Sequence, residues 1–217
     1  MISIDIYRTA LFETMYMTFA STALVLVFGF IVGALLYYSS AQGLKPNKLL
    51  YSILSFIVSI GRSIPFLILI VLLIPVTRII VGTILGPSAA IPALVVGGTP
   101  FYARIVELAL NEKGESLRET GVAFGLSNFK IITKILIPET LPALVRGITV
   151  TSITLASFTS IAGAIGAGGL GDLAYLYGYA RNRHSVTLIS TALVVALVVT
   201  IQLLGDLLVK RLSPQSN

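Results

Sequence analysis

FASTALVLVFGFIVGALLYY, Phe19 to Tyr38, decides the fold. A helix needs about 20 mostly apolar residues to cross the hydrocarbon core of a bilayer. This stretch reaches that length without a charge and sits inside a wider charge-free window, residues 14 to 44. Moving outward, residues 63–77 (SIPFLILIVLLIPVT), 79–103, 147–171 and 185–205 are also free of charge. The chain therefore reads as an all-α membrane protein with five transmembrane helices.

Composition agrees. The 217 residues are 56% hydrophobic and only 11% charged, against about 25% charged in an average soluble domain. A soluble fold would leave apolar surface in water at a cost of about 25 cal/mol per Å². There is no Cys and one His, His184, so disulfides, thiolate metal sites and His-rich centres are excluded. No catalytic residue and no metal site are expected.

The start of the second span is ambiguous. If a helix begins at Leu49, Arg62 lies deep in the bilayer, which is costly unless it faces protein or water. The preferred reading takes 49–60 as an interfacial or protein-covered segment, with the crossing after Arg62. Snorkelling of Arg62 to the headgroups and a gating or packing role stay level.

Lys and Arg collect in cytoplasmic loops. With the N-terminus outside, the inner loops hold ten of the 15 basic residues, among them Lys45, Lys48, Lys130, Lys134, Lys210 and Arg211. The outer segments hold four, Arg8, Arg78, Arg181 and Arg183. This predicts N-terminus out and C-terminus in, and places the +6 net charge at the membrane face rather than on nucleic acid. Residues 1–13 carry Asp5 and Glu13 without the basic lead of a signal peptide, so the first span is expected to stay. Gly29 and Gly33 have the spacing that lets helices approach closely. Gly97, Gly98 and Pro100 are expected to bend the third span.

The long polar segment, Arg104 to Arg146, is expected to face the cytoplasm and reads as helix, break, helix. SLRETGVAF forms a short helix from about Ser116. Gly125 suits a left-handed turn that ends it, and Ser127 or Asn128 caps the next helix. NFKIITKILIP follows, limited by Pro138. This element serves equally as a docking knob for a soluble partner or as a solvated hairpin.

ETGVAFGLSNFKIITKILIP, Glu119 to Pro138, resembles the EAA loop of ABC-importer permeases, E-A-A-x3-G-x9-I-x-L-P. Glu119, Gly125, Ile135 and Pro138 fall at the pattern's positions; Thr120 and Gly121 replace its Ala pair and Ile137 its Leu. Gly121 costs about 1 kcal/mol against Ala as a helix former. The resemblance implies a coupling helix, within a cytoplasmic loop of about 111–142, that seats in a groove of a separate ATP-hydrolysing subunit. Its residues would be Ser116, Arg118, Glu119, Thr120, Gly121, Ala123, Phe124 and Gly125, with Pro138 behind them. Glu119 would offer a charged contact, Ala123 and Phe124 apolar contact, and Gly125 the turn.

GRSIPFLILIVLLIPVTRIIVGT (Gly61 to Thr83), GGTPFYARIVELAL (Gly97 to Leu110) and GAIGAGGLGDLAYLYGY (Gly163 to Tyr179) resemble the methionine-uptake branch of that family. The resemblance implies a type I ABC importer permease fold over residues 1–217 as one transmembrane domain. It implies a homodimer in lipid in the bacterial inner membrane, with two ABC ATPase subunits and an extracytoplasmic methionine-binding protein. The chain would itself hold no cofactor, ATP and Mg being bound by the partner. The substrate would be L-methionine, with the D-form or derivatives; another small amino acid or polar solute is the alternative.

TVTSITLASFTSIAGA, Thr149 to Ala164, suits a small-walled path or close packing, and Ser157 and Thr159 are expected to approach the dimer axis. Gly166 to Gly171 satisfies G-x-G-x-x-G, but it follows a membrane span rather than a strand, which speaks against a dinucleotide site. That turn is expected to pack closely, against the binding protein or within the chain, with Asp172, Tyr175, Tyr177 and Tyr179 beside it. No G-x-x-x-x-G-K-[ST] loop occurs, so an ATP engine must be another polypeptide. An ion-coupled transporter would want mid-span acids or internal repeats, and a membrane enzyme a nucleophile with its base. Neither set is evident.

Overall fold

The computed structural model describes residues 3–213, apart from the side chains at 115 and 116. Among these residues every element is helical. Helix α1, Ile4–Ser39, runs as one piece. Its glycines face α5, Pro87–Ala123: a Cβ on Gly29 would meet Tyr102, and one on Gly33 would meet Val106 and the Ala103 carbonyl. The spacing read from sequence thus marks a close backbone approach. The rest of the α1 surface carries Phe12, Phe19, Val27, Phe28 and Ile31, all exposed. Apolar exposure on this scale suits a lipid-facing or partner-covered surface.

The second span is not one helix. Helix α2, Lys48–Ser63, starts at Asn47, whose side chain accepts from the Leu50 N–H at 3.0 Å. Pro65 forces Ile64 into extended geometry (ψ 120°), because the residue before proline avoids the helical region. Helix α3, Phe66–Leu72, leaves at 103° to α2, and α4, Ile74–Val81, follows. Four helices are long and apolar enough to cross a membrane, or five if the bent pair counts as one span. Gly82 and Gly86 take positive φ (82° and 87°) and separate α4 from α5. The third span therefore starts at Pro87, not at 79: a charge-free window records solvent preference and ignores the turn inside it.

Helix α5 runs unbroken through Gly97, Gly98 and Pro100 to Ala123. The expected short helix from Ser116 is therefore the end of this long one, and Ser116's side chain lies outside the described residues. Glu, Lys and Arg are good helix formers, so the charges that end a membrane span do not end a helix. Pro138 does not stop its helix either. Helix α6, Asn128–Ala167, passes through it. Wide π-type turns over Ile131–Leu136 precede the proline, with the Ile137 N–H bonded to the Ile132 carbonyl. That widening accommodates a residue with no N–H of its own.

The end of α6 breaks at Ile165 and Gly166. A short helix α7, Gly169–Asp172, continues as π-type turns to Tyr179, and α8, His184–Leu212, closes the fold. The main core joins Met17 and Val25 of α1, Phe66 and Leu69 of α3, Leu94, Tyr102 and Val106 of α5, and Leu144 and Leu155 of α6. A smaller cluster, Ala10, Leu170, Leu173 and Val186, ties α1 to α7 and α8. Hydroxyls in these apolar helices mostly bond back to their own helix, as in Ser21 to Met17, Thr151 to Gly147 and Thr200 to Ala196. That satisfies a polar group where no water reaches.

Candidate functional site

The turn between α5 and α6 carries exposed apolar side chains at a chain reversal. Gly125 has φ +68°. Its N–H bonds the Val122 carbonyl at 2.9 Å, and the Leu126 N–H bonds the Gly121 carbonyl at 3.0 Å. This is the paired bonding of a Schellman cap, which needs a left-handed residue. Beyond it Ser127 stands at the N-cap of α6 in extended geometry, with no side-chain bond to the helix. Gly121 is buried, and a Cβ there would press on Ile131 and Ile135. Glycine at this second Ala position of the loop pattern lets the two helix ends close on each other.

That closure leaves three large side chains pointing outward: Val122 at 60%, Phe124 at 79% and Phe129 at 74% exposure. Glu119, Thr120 and Ala123 are exposed beside them. Arg118 turns inward, its guanidinium donating to the Gly43 carbonyl at 3.0 Å. It braces the α1–α2 loop rather than the tip. Lys113 pairs with Glu139 at 3.6 Å across the two helices, an exposed bridge that adds little. Pro138 lies behind the tip, within α6.

Deeper in, Glu107 is 2% exposed. Arg104 meets it at 2.6 Å and the Tyr51 hydroxyl donates to it at 2.9 Å. This buried pair ties α2 to α5. By charge alone Arg104 is a loop cation and no acid lies mid-span; Glu107 nevertheless lies within the candidate span Pro87–Gly114.

Ser157 and Thr159 do not share a face. Two residues at about 100° each put them some 200° apart. Ser157 is exposed, whereas Thr159 is 1% exposed and donates to the Ala156 carbonyl. The open line of α6 is Val150, Thr154, Ser157 and Ile161. A second polar line was missed: Lys48, Ser52, Ser55, Ser59 and Arg62 fall within about 100° on α2. Their 4-3-4-3 spacing is visible in the sequence, within the stretch that hydropathy marks as interfacial or protein-covered. Arg62 lies at the α2–α3 bend and lines a cavity of about 250 Å³ between α2, α3, α5 and α6.

The glycine run at the other end of the bundle does cradle an anion, the chain's own. The Gly169 N–H donates to Glu13 Oε2 at 2.7 Å and the Leu170 N–H to Thr14 Oγ1 at 2.8 Å. Gly166, Gly168 and Gly169 all take positive φ. The rings beside it find partners within the loop: Tyr175 stacks on Tyr179, and Arg181 lies over Tyr177 at 4.4 Å.

Residues 27–216 match the family described as binding-protein-dependent transport system inner membrane component. The methionine import system permease protein MetP of Bacillus subtilis is 51% identical over 199 residues, covering 92% of this chain and 90% of that one. The probable D-methionine transport system permease protein MetI of Vibrio cholerae is 41% identical over 207 residues, covering 95% and 92%. A solved structure of the MetNI methionine ABC transporter, in inward-facing conformations, superposes with a TM-score of 0.94 at 44% identity, covering 96% of this chain and 97% of that one.

Proposed function

The chain belongs to the binding-protein-dependent transport system inner membrane components, and from that premise we infer that it is the permease subunit of an ATP-driven methionine importer. It does not hydrolyse ATP; ATP and Mg are bound by two copies of a separate ABC ATPase. Two permease copies form the pathway in the bacterial inner membrane, surrounded by lipid, and an extracytoplasmic binding protein delivers methionine, the D-form or derivatives included. Residues 1–217 act as one type I permease domain with five crossings, the bent α2–α3 pair being one of them. The N-terminus is outside and the C-terminus inside, as the ten-to-four distribution of basic residues favours.

The observation that carries the reading is the tip at Val122, Phe124 and Phe129. Two long helices meet there in a capped turn, and their largest apolar side chains face away from the bundle. Such a patch stands exposed in a soluble environment only where a partner covers it. Glu119, Thr120, Ala123 and Gly125 surround the docking knob, Gly121 and Pro138 hold its shape, and Arg118 braces the neighbouring α1–α2 loop. Closure of the ATPase pair on ATP moves the two tips together. Because α5 and α6 are continuous from tip to membrane, that motion is transmitted as rigid-body tilt, alternating access between the two sides. The ATP-bound engine shifts the equilibrium only by contacts that differ between the two states. Ser157, with Thr154 beside it on the open line of α6, faces the pathway.

Affinity purification of the chain from native membranes in mild detergent tests the reading. A stoichiometric ABC ATPase in the eluate, identified by mass spectrometry, is the expected result. Its absence, in detergent that preserves known importer complexes, would overturn it.

A further inference from the structure

We infer that the cavity between α2, α3, α5 and α6 is a substrate subsite for an amino acid with an unbranched apolar side chain, its carboxylate held by Arg62. The inference rests on the importer reading and deepens it, because it gives each protomer a discrete binding step inside the membrane domain.

The cavity measures about 250 Å³, just below the range of about 300–1,000 Å³ for drug-sized ligands. Its floor is apolar and buried: Phe66 is 6% exposed and its ring stacks on Phe158 with centroids 4.4 Å apart. Phe101 adds a third ring to the lining. Gly97 keeps the space open, since a Cβ there would come within 3.2 Å of Leu69 and 3.5 Å of Phe66. A thioether fits aromatic walls of this kind, because sulfur near a ring edge is favourable by about 0.3–1.5 kcal/mol.

The polar groups converge at the mouth. Arg62 is exposed there, and the ion pairs among the described residues, Arg8–Asp5, Arg104–Glu107 and Lys113–Glu139, do not include it. An unpaired guanidinium beside apolar walls is matched by a carboxylate, which it grips through two parallel hydrogen bonds. Thr154 donates its hydroxyl hydrogen to the Val150 carbonyl, which leaves its oxygen lone pairs free to accept from an ammonium group. The serine line of α2 ends at Arg62, so a hydrated approach leads to the guanidinium.

The test uses the permease–ATPase complex. Binding of radiolabelled L-methionine is measured in detergent without the binding protein, and ATP-driven uptake is measured in proteoliposomes with it. Arg62→Gln is expected to weaken binding at least tenfold and to raise the KM for uptake, with Arg62→Lys recovering part of the loss. Gly97→Ala is expected to weaken methionine more than alanine. On the wild-type complex, norleucine is expected to compete and methionine methyl ester, which lacks the carboxylate, to fail. Gel filtration with the ATPase shows that Arg62→Gln assembles; if it does not, the methyl-ester competition decides. Equal competition by ester and acid, or wild-type binding and KM in Arg62→Gln, would overturn the subsite while leaving the importer reading intact. A wild-type complex that takes up no methionine would overturn both.

Discussion

Phe124→Ser probes the docking tip most sharply. Phe124 is 79% exposed. A Phe side chain presents about 150–250 Å² for burial, so roughly 150 Å² is left for a partner to cover. At about 25 cal/mol per Å² that is a ceiling near 4 kcal/mol. Ordering costs reduce it, and about 2 kcal/mol is the ordinary scale of a dominant interface residue. The expected effect is a loss of roughly thirtyfold in affinity for the ATPase subunit, since about 1.4 kcal/mol is tenfold. The residue caps α5 at φ −85°, ψ 6°, a geometry serine adopts, and little of its side chain is buried in the fold. The permease alone should therefore melt at its wild-type temperature. Titration of purified ATPase against immobilised permease measures the affinity, and scanning fluorimetry checks the fold. Wild-type affinity in a folded Phe124→Ser protein would refute the docking assignment.

Three further outcomes follow from particular contacts. A Cβ at Gly125 meets open space, yet its φ is +68°; Gly125→Val pays about 1–2 kcal/mol for the left-handed backbone and should cut transport-coupled ATPase activity about tenfold, while Gly125→Asn, which tolerates that region, should stay near wild type. Glu107→Ala strands Arg104 and removes the acceptor of Tyr51, so a loss of about 3–5 kcal/mol should appear as a large drop in Tm by scanning fluorimetry. Burial first, and the nearby Glu13 charge second, lift the Asp172 carboxyl above its ordinary 3.8. The fold thus favours protonated Asp172; its stabilising contribution is present below 3.8 and is lost as pH rises through the raised value. Asp172→Asn should raise Tm at pH 7 and leave it unchanged at pH 3.

Much of the fold was legible because bilayer insertion is a solvent problem, and hydropathy records solvent preference directly. Gly29 and Gly33 marked a close helix approach, because only small residues admit a second backbone; that the partner is α5 is seen only in the fold. The capped turn between α5 and α6 was legible in Gly125, whose backbone demand is intrinsic to the residue. What hydropathy hid is where helices end. Charges from Arg104 onward marked the edge of the membrane, yet the helix continues to Ala123. Pro138 reads locally as a stop, and only the widened turns ahead of it show how the helix passes.

Which hydroxyls of α6 stand open was not legible from composition. Hydroxyls in apolar helices satisfy themselves on their own carbonyls, so composition alone does not separate the buried Thr159 from the exposed Ser157; angular position does. Glu13 was invisible as a structural group because its partner Gly169 lies 156 residues away in sequence; Glu107 has a local partner in Arg104, three residues before it, but its tie to Tyr51 spans 56 residues.

The most direct measurement is uptake of radiolabelled methionine by proteoliposomes holding the permease and its ATPase, with binding protein on the face opposite the α5–α6 tip. The account predicts accumulation only when ATP is supplied on the side of the tip and the binding protein on the other, and none with a non-hydrolysable analogue. Accumulation without ATP, driven by a proton or sodium gradient alone, would contradict it.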